Sequence, residues 1–376
     1  MNFLDLTVQY KSIKKEIDGA VKRVLGKAVF VGGKEVEEFE KEVTQFCGVK
    51  YAIGVNSGTD ALFLSLKALG VGPGDEVITT PFTFIATAEV ITNLGAKPVF
   101  VDINPNTFNI NSSKIREVIT EKTKGVMPVH LFGQMVDMDE IMKIAKKYKL
   151  FVIEDAAQVI GAKIKSKVKS QKSKAAMAGS VGDLGCFSFF PTKNLGAYGD
   201  GGMIVTNNKK LADKIRLLKN HGSSPKEKYL NLILGMNSRL DALQAAVLRK
   251  KLKYLEEWNK KRAKNALYYN KFLKGVGDII VPETGLGLTH IFHQYTIRTK
   301  YRDQLKKYLE KEGIPAMIYY LIPLHLQPCF KYLNFKKGNF PEAEKAAKEV
   351  LSLPIYPELP RKDQNHIVQK IRNFYA

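Results

Sequence analysis

Gly185-Cys-Phe-Ser-Phe-Phe-Pro-Thr-Lys-Asn-Leu-Gly196 reads as an apolar strand that runs into a turn. Its strand part, Cys186 to Phe190, lacks the polar alternation of a half-exposed strand, so both faces are expected to be covered. Six further short runs accompany it: Tyr51-Ala-Ile-Gly-Val55, Glu76-Val-Ile-Thr-Thr80, Lys97-Pro-Val-Phe-Val101, Gly125-Val-Met-Pro-Val129, Phe151-Val-Ile-Glu154 and Gly202-Met-Ile-Val-Thr206. Helical patterns lie between many of them. Ala61 to Leu69 is one, and Asp137 to Ala145 is another, with Asp137 as N-cap and Glu140 three residues on. Strands alternating with helices predict an α/β fold: a mostly parallel, seven-stranded sheet covered by helices, with room for one antiparallel strand at an edge.

The chain has 376 residues, more than one hydrophobic core usually supports, so two domains are expected. The division is placed at residue 245, between a large domain (1–245) and a smaller C-terminal α+β domain (246–376). Ser238 would open a long helix from Arg239 to about Lys264, with Leu240, Leu243, Ala246 and Val247 at helical spacing. Beyond it come an apolar run at Gln294-Tyr-Thr-Ile-Arg298, a helix at Tyr301 to Glu312 and a Pro-containing segment from Pro315 to Pro328. Lys163 to Lys174 alternates Lys with Ser, Ile and Val. A strand there would stack like charges on one face, so an exposed hairpin or loop is expected.

No run of 18 apolar residues occurs, and the N-terminus reaches Asp5 before any long apolar stretch, so neither a membrane span nor a signal peptide is expected. Three cysteines, Cys47, Cys186 and Cys329, show no CxxC spacing, which argues against a disulfide framework or a metal site and for the cytoplasm. The net charge of +22 is unusual. Such a surface can serve nucleic acid or an anionic substrate. Part of the excess sits in Arg249-Lys-Lys-Leu-Lys253 and Lys306-Lys307, without any helix-turn-helix, RNA-recognition or zinc-finger pattern, so no nucleic-acid partner is expected.

Four local features carry chemistry. Lys193 follows a buried strand and precedes Gly196-Ala-Tyr-Gly-Asp-Gly-Gly202. A lysine so placed can be desolvated, which lowers its pKa and makes the amine nucleophilic, as Schiff-base chemistry requires. A lone lysine after a strand is more often a surface residue; the glycine-rich turn beside it weakens that reading. Asn56-Ser-Gly-Thr-Asp-Ala61, between a strand and a helix, is either a phosphate cup or an ordinary capping turn. Asp155 ends an apolar run in Val152-Ile-Glu-Asp-Ala-Ala-Gln158, where it could keep a pyridine nitrogen protonated or simply cap a helix. Phe84, in Pro81-Phe-Thr-Phe-Ile-Ala-Thr87, could stack on a flat ring or belong to the core. Together these residues gather at the ends of sheet strands, where ligands bind in open α/β sheets.

The combination of Glu154-Asp-Ala-Ala-Gln158, Ser188-Phe-Phe-Pro-Thr-Lys193 and Asn237-Ser-Arg239 resembles the DegT/DnrJ/EryC1/StrS family of sugar-nucleotide aminotransferases, which have the fold-type I, aspartate aminotransferase-like architecture. The resemblance runs from Phe3-Leu-Asp-Leu6, through Gly72-Pro-Gly-Asp-Glu-Val77, to Pro323-Leu-His-Leu-Gln327 and Leu353-Pro354. It implies pyridoxal 5'-phosphate as cofactor, with Lys193 forming the Schiff base, Asp155 at the pyridine nitrogen and Gln158 at the ring hydroxyl. Gly58, Thr59 and Ser188 would bind the phosphate, and Phe84 would cover the ring. It further implies a homodimer in which Asn237 reaches the neighbouring subunit's cofactor phosphate and Arg239 lies near the same interface. Tyr319, Tyr320 and His325 would line the sugar pocket. The expected activity is amino transfer from an amino acid, L-glutamate, to a nucleotide-diphosphate-linked keto-hexose. The stretch Met317 to His325 looks most like members that aminate C3, with C4 as the alternative. Related sugar dehydratases carry His where Lys193 stands.

Overall fold

The computed structural model describes residues 1–164, 176–285 and 287–376. Most of the Lys-rich stretch therefore lies outside the described residues. Two helices, α1 (Leu6–Lys27) and α2 (Lys34–Cys47), precede β1 (Tyr51–Val55) and α3 (Gly58–Ala68). Then come β2 (Glu76–Thr79), α4 (Ala86–Asn93), β3 (Lys97–Phe100), β4 (Thr123–Val126), α5 (Met138–Tyr148) and β5 (Phe151–Asp155). Two short strands, β6 (Lys163–Ile164) and β7 (Ala176–Met177), pair with each other antiparallel. They are followed by β8 (Leu184–Ser188), β9 (Gly202–Thr206), α6 (Lys209–Leu218), α7 (Ala242–Leu252) and α8 (Leu255–Leu273). The C-terminal part adds β10 (Tyr295–Arg298), α9 (Arg302–Lys311), α10 (Pro341–Glu349), β11 (Val350–Leu353) and α11 (Arg361–Tyr375).

All seven apolar runs form strands of one sheet, in the order β1-β9-β8-β5-β4-β2-β3. Successive residues of a strand enter opposite cores, which is why several of the runs lack polar alternation. Val152, Phe187 and Val205 pack on one face with α2 and α5, while Ile153, Cys186 and Ile204 pack on the other with α3 and α6. Full burial of each such side chain contributes about 1.5–3 kcal/mol. The antiparallel strand is not at an edge, as expected from the sequence, but inside: β9 runs antiparallel to both β1 and β8. The link from β8 to β9, residues 189–201, contains no crossover helix, and without one the chain returns only antiparallel.

The helix expected from Arg239 to Lys264 is two helices, α7 and α8, parted at Lys253 and Tyr254. Tyr254 stacks on Trp258, 5.7 Å between centroids, and its hydroxyl donates to Glu16 of α1. Ser238 caps neither helix. Its hydroxyl donates to Asp60 Oδ2 at 2.7 Å and accepts from the Asn56 amide at 3.3 Å, tying it to the start of α3. The domain division expected at residue 245 falls inside α7, which packs against α1 and α2. A separate core, built from Tyr269, Tyr295, Ile297, Leu305, Leu351 and Ile367, joins α8, α9 and α11 to the β10–β11 pair. Asp137 accepts from the Asp139 amide at the start of α5, the cap read from the sequence. No helix among the described residues is long and apolar enough to cross a membrane.

Beneath the strand ends, Glu154 is fully buried and accepts four hydrogen bonds. The amides of Gly179, Val181 and Gly182 donate at 2.8, 2.7 and 2.7 Å. His130 Nε2 lies at 2.8 Å and carries the ring hydrogen, because Nδ1 is taken by the Val136 amide at 3.0 Å. Burial pushes the Glu154 carboxyl up, but His130 and the amides outweigh it and hold the group below its ordinary value. Glu154→Ala would strand these donors, so it is expected to destabilise the fold by about 3–5 kcal/mol, the loss seen when one partner leaves a buried charged network. Denaturant unfolding checks this; a midpoint equal to the parent's would contradict it.

Candidate active site

A cavity of about 660 Å³ opens at the C-terminal ends of β1, β5 and β8. Lys193, Asp155, Gly58, Thr59, Ser188, Phe84, Gln158, Tyr319 and Tyr320 all line it. The register explains the convergence. Gly202 at the start of β9 pairs with Val55 on one side and Ser188 on the other, so the strand ends stand level.

Lys193 is held by the turn after β8. Its amide donates to the Phe190 carbonyl at 2.8 Å, and the Ala197 amide donates to Phe189 at 2.7 Å. The side chain lines the cavity with no hydrogen-bond partner among the described residues. Burial pushes its amine down to about 8, against the opposing pull of Asp155. The Asp155 carboxyl is pushed above its ordinary value by burial, despite donors that favour the charge. Thr87 Oγ1 donates to Asp155 Oδ2 at 2.8 Å, and the Ala157 amide donates to Oδ1 at 3.2 Å. Since Thr87 spends its one hydrogen there, Thr83 must be the donor in the 3.1 Å contact between the two hydroxyls.

At the start of α3, Ser57 accepts from the Asp60 amide at 3.0 Å with its hydroxyl and from Ala61 with its carbonyl. Among the described residues, the amides of Gly58 and Thr59 have no acceptor and stand at the cavity wall. Gly58 is there because a Cβ would meet the Ser188 Cβ at 2.6 Å. These amides, with the Ser188 hydroxyl nearby, can bind a phosphate. Gln158 Oε1 accepts from the Phe132 amide at 2.7 Å, which turns its Nε2 toward the Tyr320 hydroxyl at 3.3 Å. Of the aromatic pair, Phe82 is core, while Phe84 is 56% exposed at the cavity rim, its ring 6.4 Å from that of Tyr320.

Three expected site residues stand apart from this cavity. Asn237 is exposed, and its Oδ1 accepts from Arg239 Nε at 3.0 Å. Neither lines the cavity of its own chain. His325 is buried and does not line the cavity either. Its Nε2 bonds Glu344 at 3.0 Å and its ring meets the edge of Phe340, so the short turn Leu324–Leu326 carries it under an aromatic cluster rather than into the pocket. The sequence reading missed Thr83, Thr87, His293, Gln294 and Asp200 on the lining. The threonines, four residues apart across the start of α4, carried a helical spacing that could have revealed them. His293 and Gln294 come from the C-terminal part, and only the folded chain brings them here.

Residues 11–372 match the pattern of the DegT/DnrJ/EryC1/StrS aminotransferase family. The chain belongs to that family. A relative from Geobacillus stearothermophilus, named a pleiotropic regulatory protein, is 50% identical over 99% of this chain and 98% of its own. UDP-N-acetyl-3-dehydro-alpha-D-glucosamine 3-aminotransferase of Acidithiobacillus ferrooxidans is 44% identical over 98% of this chain and 96% of its own. Among solved structures, S. venezuelae DesV in complex with a ketimine intermediate superposes with a TM-score of 0.93 at 38% identity, covering 100% of this chain and 98% of that one. The fold is thus that of the sugar aminotransferases, and the chain is an aminotransferase.

Because burial lowers the Lys193 amine, its neutral, nucleophilic form should dominate above about pH 8 instead of above 10.5. In protein stripped of cofactor, acylation of Lys193 by a neutral reagent, followed by peptide mapping against pH, should rise with a midpoint near 8. A midpoint above 10 would contradict the desolvated placement.

Proposed function

We propose that this aminotransferase moves an amino group from L-glutamate to C3 of a nucleotide-diphosphate-linked keto-hexose. The observation that carries the reading is one cavity holding a desolvated lysine amine, a buried carboxylate and two unpaired amides at a helix N-terminus. Pyridoxal 5'-phosphate, the cofactor, needs those three things: an amine for its aldehyde, an anion for its ring nitrogen and donors for its phosphate. The Gly58 and Thr59 amides and the Ser188 hydroxyl would take the phosphate, where the helix dipole favours negative charge. Asp155, oriented by Thr87 and Ala157, would hold a proton on the ring nitrogen, with Gln158 at the ring hydroxyl and Phe84 across the ring. When bound, the cofactor supplies an electron sink for the carbanion formed at the amino donor's α-carbon.

Lys193 has two tasks in this scheme. Its amine anchors the cofactor, and once displaced by the donor it takes the proton from the donor's α-carbon and returns it on the cofactor side. An amine near 8 suits both, since it is neutral often enough to accept and protonated often enough to donate. The same lysine counts against the dehydratase alternative, whose members carry His there. Tyr319 and Tyr320 would face the sugar, and the net charge of +22 suits an anionic nucleotide diphosphate. Support for C3 comes from the 44%-identical relative whose name specifies a 3-amino transfer; C4 is the alternative.

We further propose a homodimer with shared sites, completed by Asn237 of the neighbouring subunit at the cofactor phosphate and by Arg239 beside it. Tyr229 and Leu234 are 86% and 87% exposed just before Asn237, an apolar surface that a second copy would cover.

With glutamate as donor, a panel of 3-keto and 4-keto nucleotide sugars should give an amino sugar from the 3-keto members, identified by mass and NMR. Product from 4-keto members alone would move the assignment to C4. Lys193→Ala chains mixed with Asn237→Ala chains should regain activity above either parent, because each heterodimer keeps one intact site. No recovery after confirmed subunit exchange would rule out sharing.

A further inference from the structure

His293 lines the same cavity but has no part in the scheme above. It precedes β10, in the C-terminal part of the chain, and is nine-tenths buried, 6% exposed. Its orientation is fixed by a chain of side-chain amides. Asn259 Nδ2 donates to the Ile160 carbonyl at 3.1 Å, so Asn259 Oδ1 is left as an acceptor. Asn194 Nδ2 donates to that oxygen at 2.7 Å and to the Ile291 carbonyl at 3.3 Å. Both contacts require the nitrogen of Asn194 on that side, which leaves its Oδ1 facing His293 Nδ1 at 3.2 Å. An amide oxygen only accepts, so the His293 hydrogen must sit on Nδ1. The one side-chain hydrogen bond His293 makes among the described residues is through Nδ1, so Nε2 is left as a bare lone pair on a ring that borders the cavity.

The residue that imposes this tautomer is Asn194, directly after Lys193. Asn194 therefore ties the imidazole to the residue next to Lys193, and both side chains line the one cavity. Burial, with the nearby Lys193 and Arg262 cations, holds the His293 ring well below its ordinary value, so it stays neutral. Arg262 itself donates to the backbone carbonyls of Phe292, His293 and Ile355, which pins the segment behind the ring. Asp155 is the anion that faces Lys193 across the cavity.

We propose that His293 is a positioning residue for the reacting amine. Its Nε2 lone pair accepts an N–H of Lys193, which aims the amine's own lone pair at the proton it must move. His293 neither gains nor loses a proton in this role. It limits rotation of the amine at the moment when Lys193 is freed from the cofactor and has no other described partner. The proposal rests on Lys193 being the reacting amine and is independent of which sugar is used.

Three measurements test it. In cofactor-free wild-type protein with histidine labelled by nitrogen-15, long-range proton–nitrogen spectra should show His293 as the Nδ1–H tautomer from about pH 6 to 8. An Nε2–H tautomer or an imidazolium would overturn the proposal without any variant. His293→Leu removes the acceptor, which stabilises the ammonium more than the amine, so the acylation midpoint of Lys193 should fall below its wild-type value near 8. An unchanged midpoint in folded His293→Leu would also overturn it. With glutamate and a competent keto-sugar, kcat of His293→Leu should fall about tenfold, the scale of one lost hydrogen bond, with KM little altered. His293→Gln, whose amide oxygen can replace the lone pair, should restore both midpoint and kcat. Loss of activity in His293→Gln equal to that in His293→Leu would show a merely structural role. If the sugar panel fails while the midpoint shifts as expected, the substrate reading is wrong and the positioning stands.

Discussion

A Cβ on Gly202 would stand 2.2 Å from the carbonyl oxygen of Ser57, and one on Gly58 would stand 2.6 Å from the Cβ of Ser188. Those two absences let the N-terminus of α3 settle onto the ends of β8 and β9. The amides of Gly58 and Thr59 can reach a phosphate only from that position. The same closeness seats Ser238 on Asp60, so the start of α7 is registered against the start of α3. Glycine at these sites answers a contact with another strand, not a demand for unusual dihedral angles, since neither has a positive φ.

Electrostatics builds on that frame. Two adjacent carboxylates at the end of β5 meet different fates. Glu154 receives four donors and is held ionised, while Asp155 receives two and faces the cavity. Side chains of a strand alternate, so neighbours necessarily point to opposite faces. The inward one becomes a structural clasp for the loop at Gly179 to Gly182, and the outward one is left with capacity for a ligand. Burial acts on Lys193 and Asp155 in opposite senses, weakening the charged form of each, and their mutual attraction restrains both shifts.

Much of this was legible in the chain itself. All seven strands were visible as short apolar runs, because most of their residues are covered on both faces of the sheet. Lys193, Asp155, Gly58 and Ser188 were legible because each stands where a strand ends, a position that local sequence marks. The internal place of β9 was not, since strand order depends on how links are closed and not on the strands' own residues. The split between α7 and α8 escaped because Lys253 and Tyr254 keep helical periodicity and even right-handed helical backbone angles. The resemblance put His325 in the sugar pocket with Tyr319 and Tyr320, yet a short turn sends it under Phe340 to Glu344. The spacing of Thr83 and Thr87 was a clue left unused, whereas nothing local marked His293, whose partner Asn194 is distant in sequence.

The interior position of β9 has a bearing on how this chain can vary. β9 pairs with β1 through Gly202 to Thr206 and with β8 through Gly202 to Val205 at the same time. One residue added between Phe189 and Gly201 could not be absorbed by sliding β9, because a one-step slip would exchange Ile204 and Val205 between the two cores and move Gly202 away from Ser57. The segment bearing Lys193 is thus measured from both ends. Grafting a new pocket onto this scaffold would keep that spacing and change the walls instead.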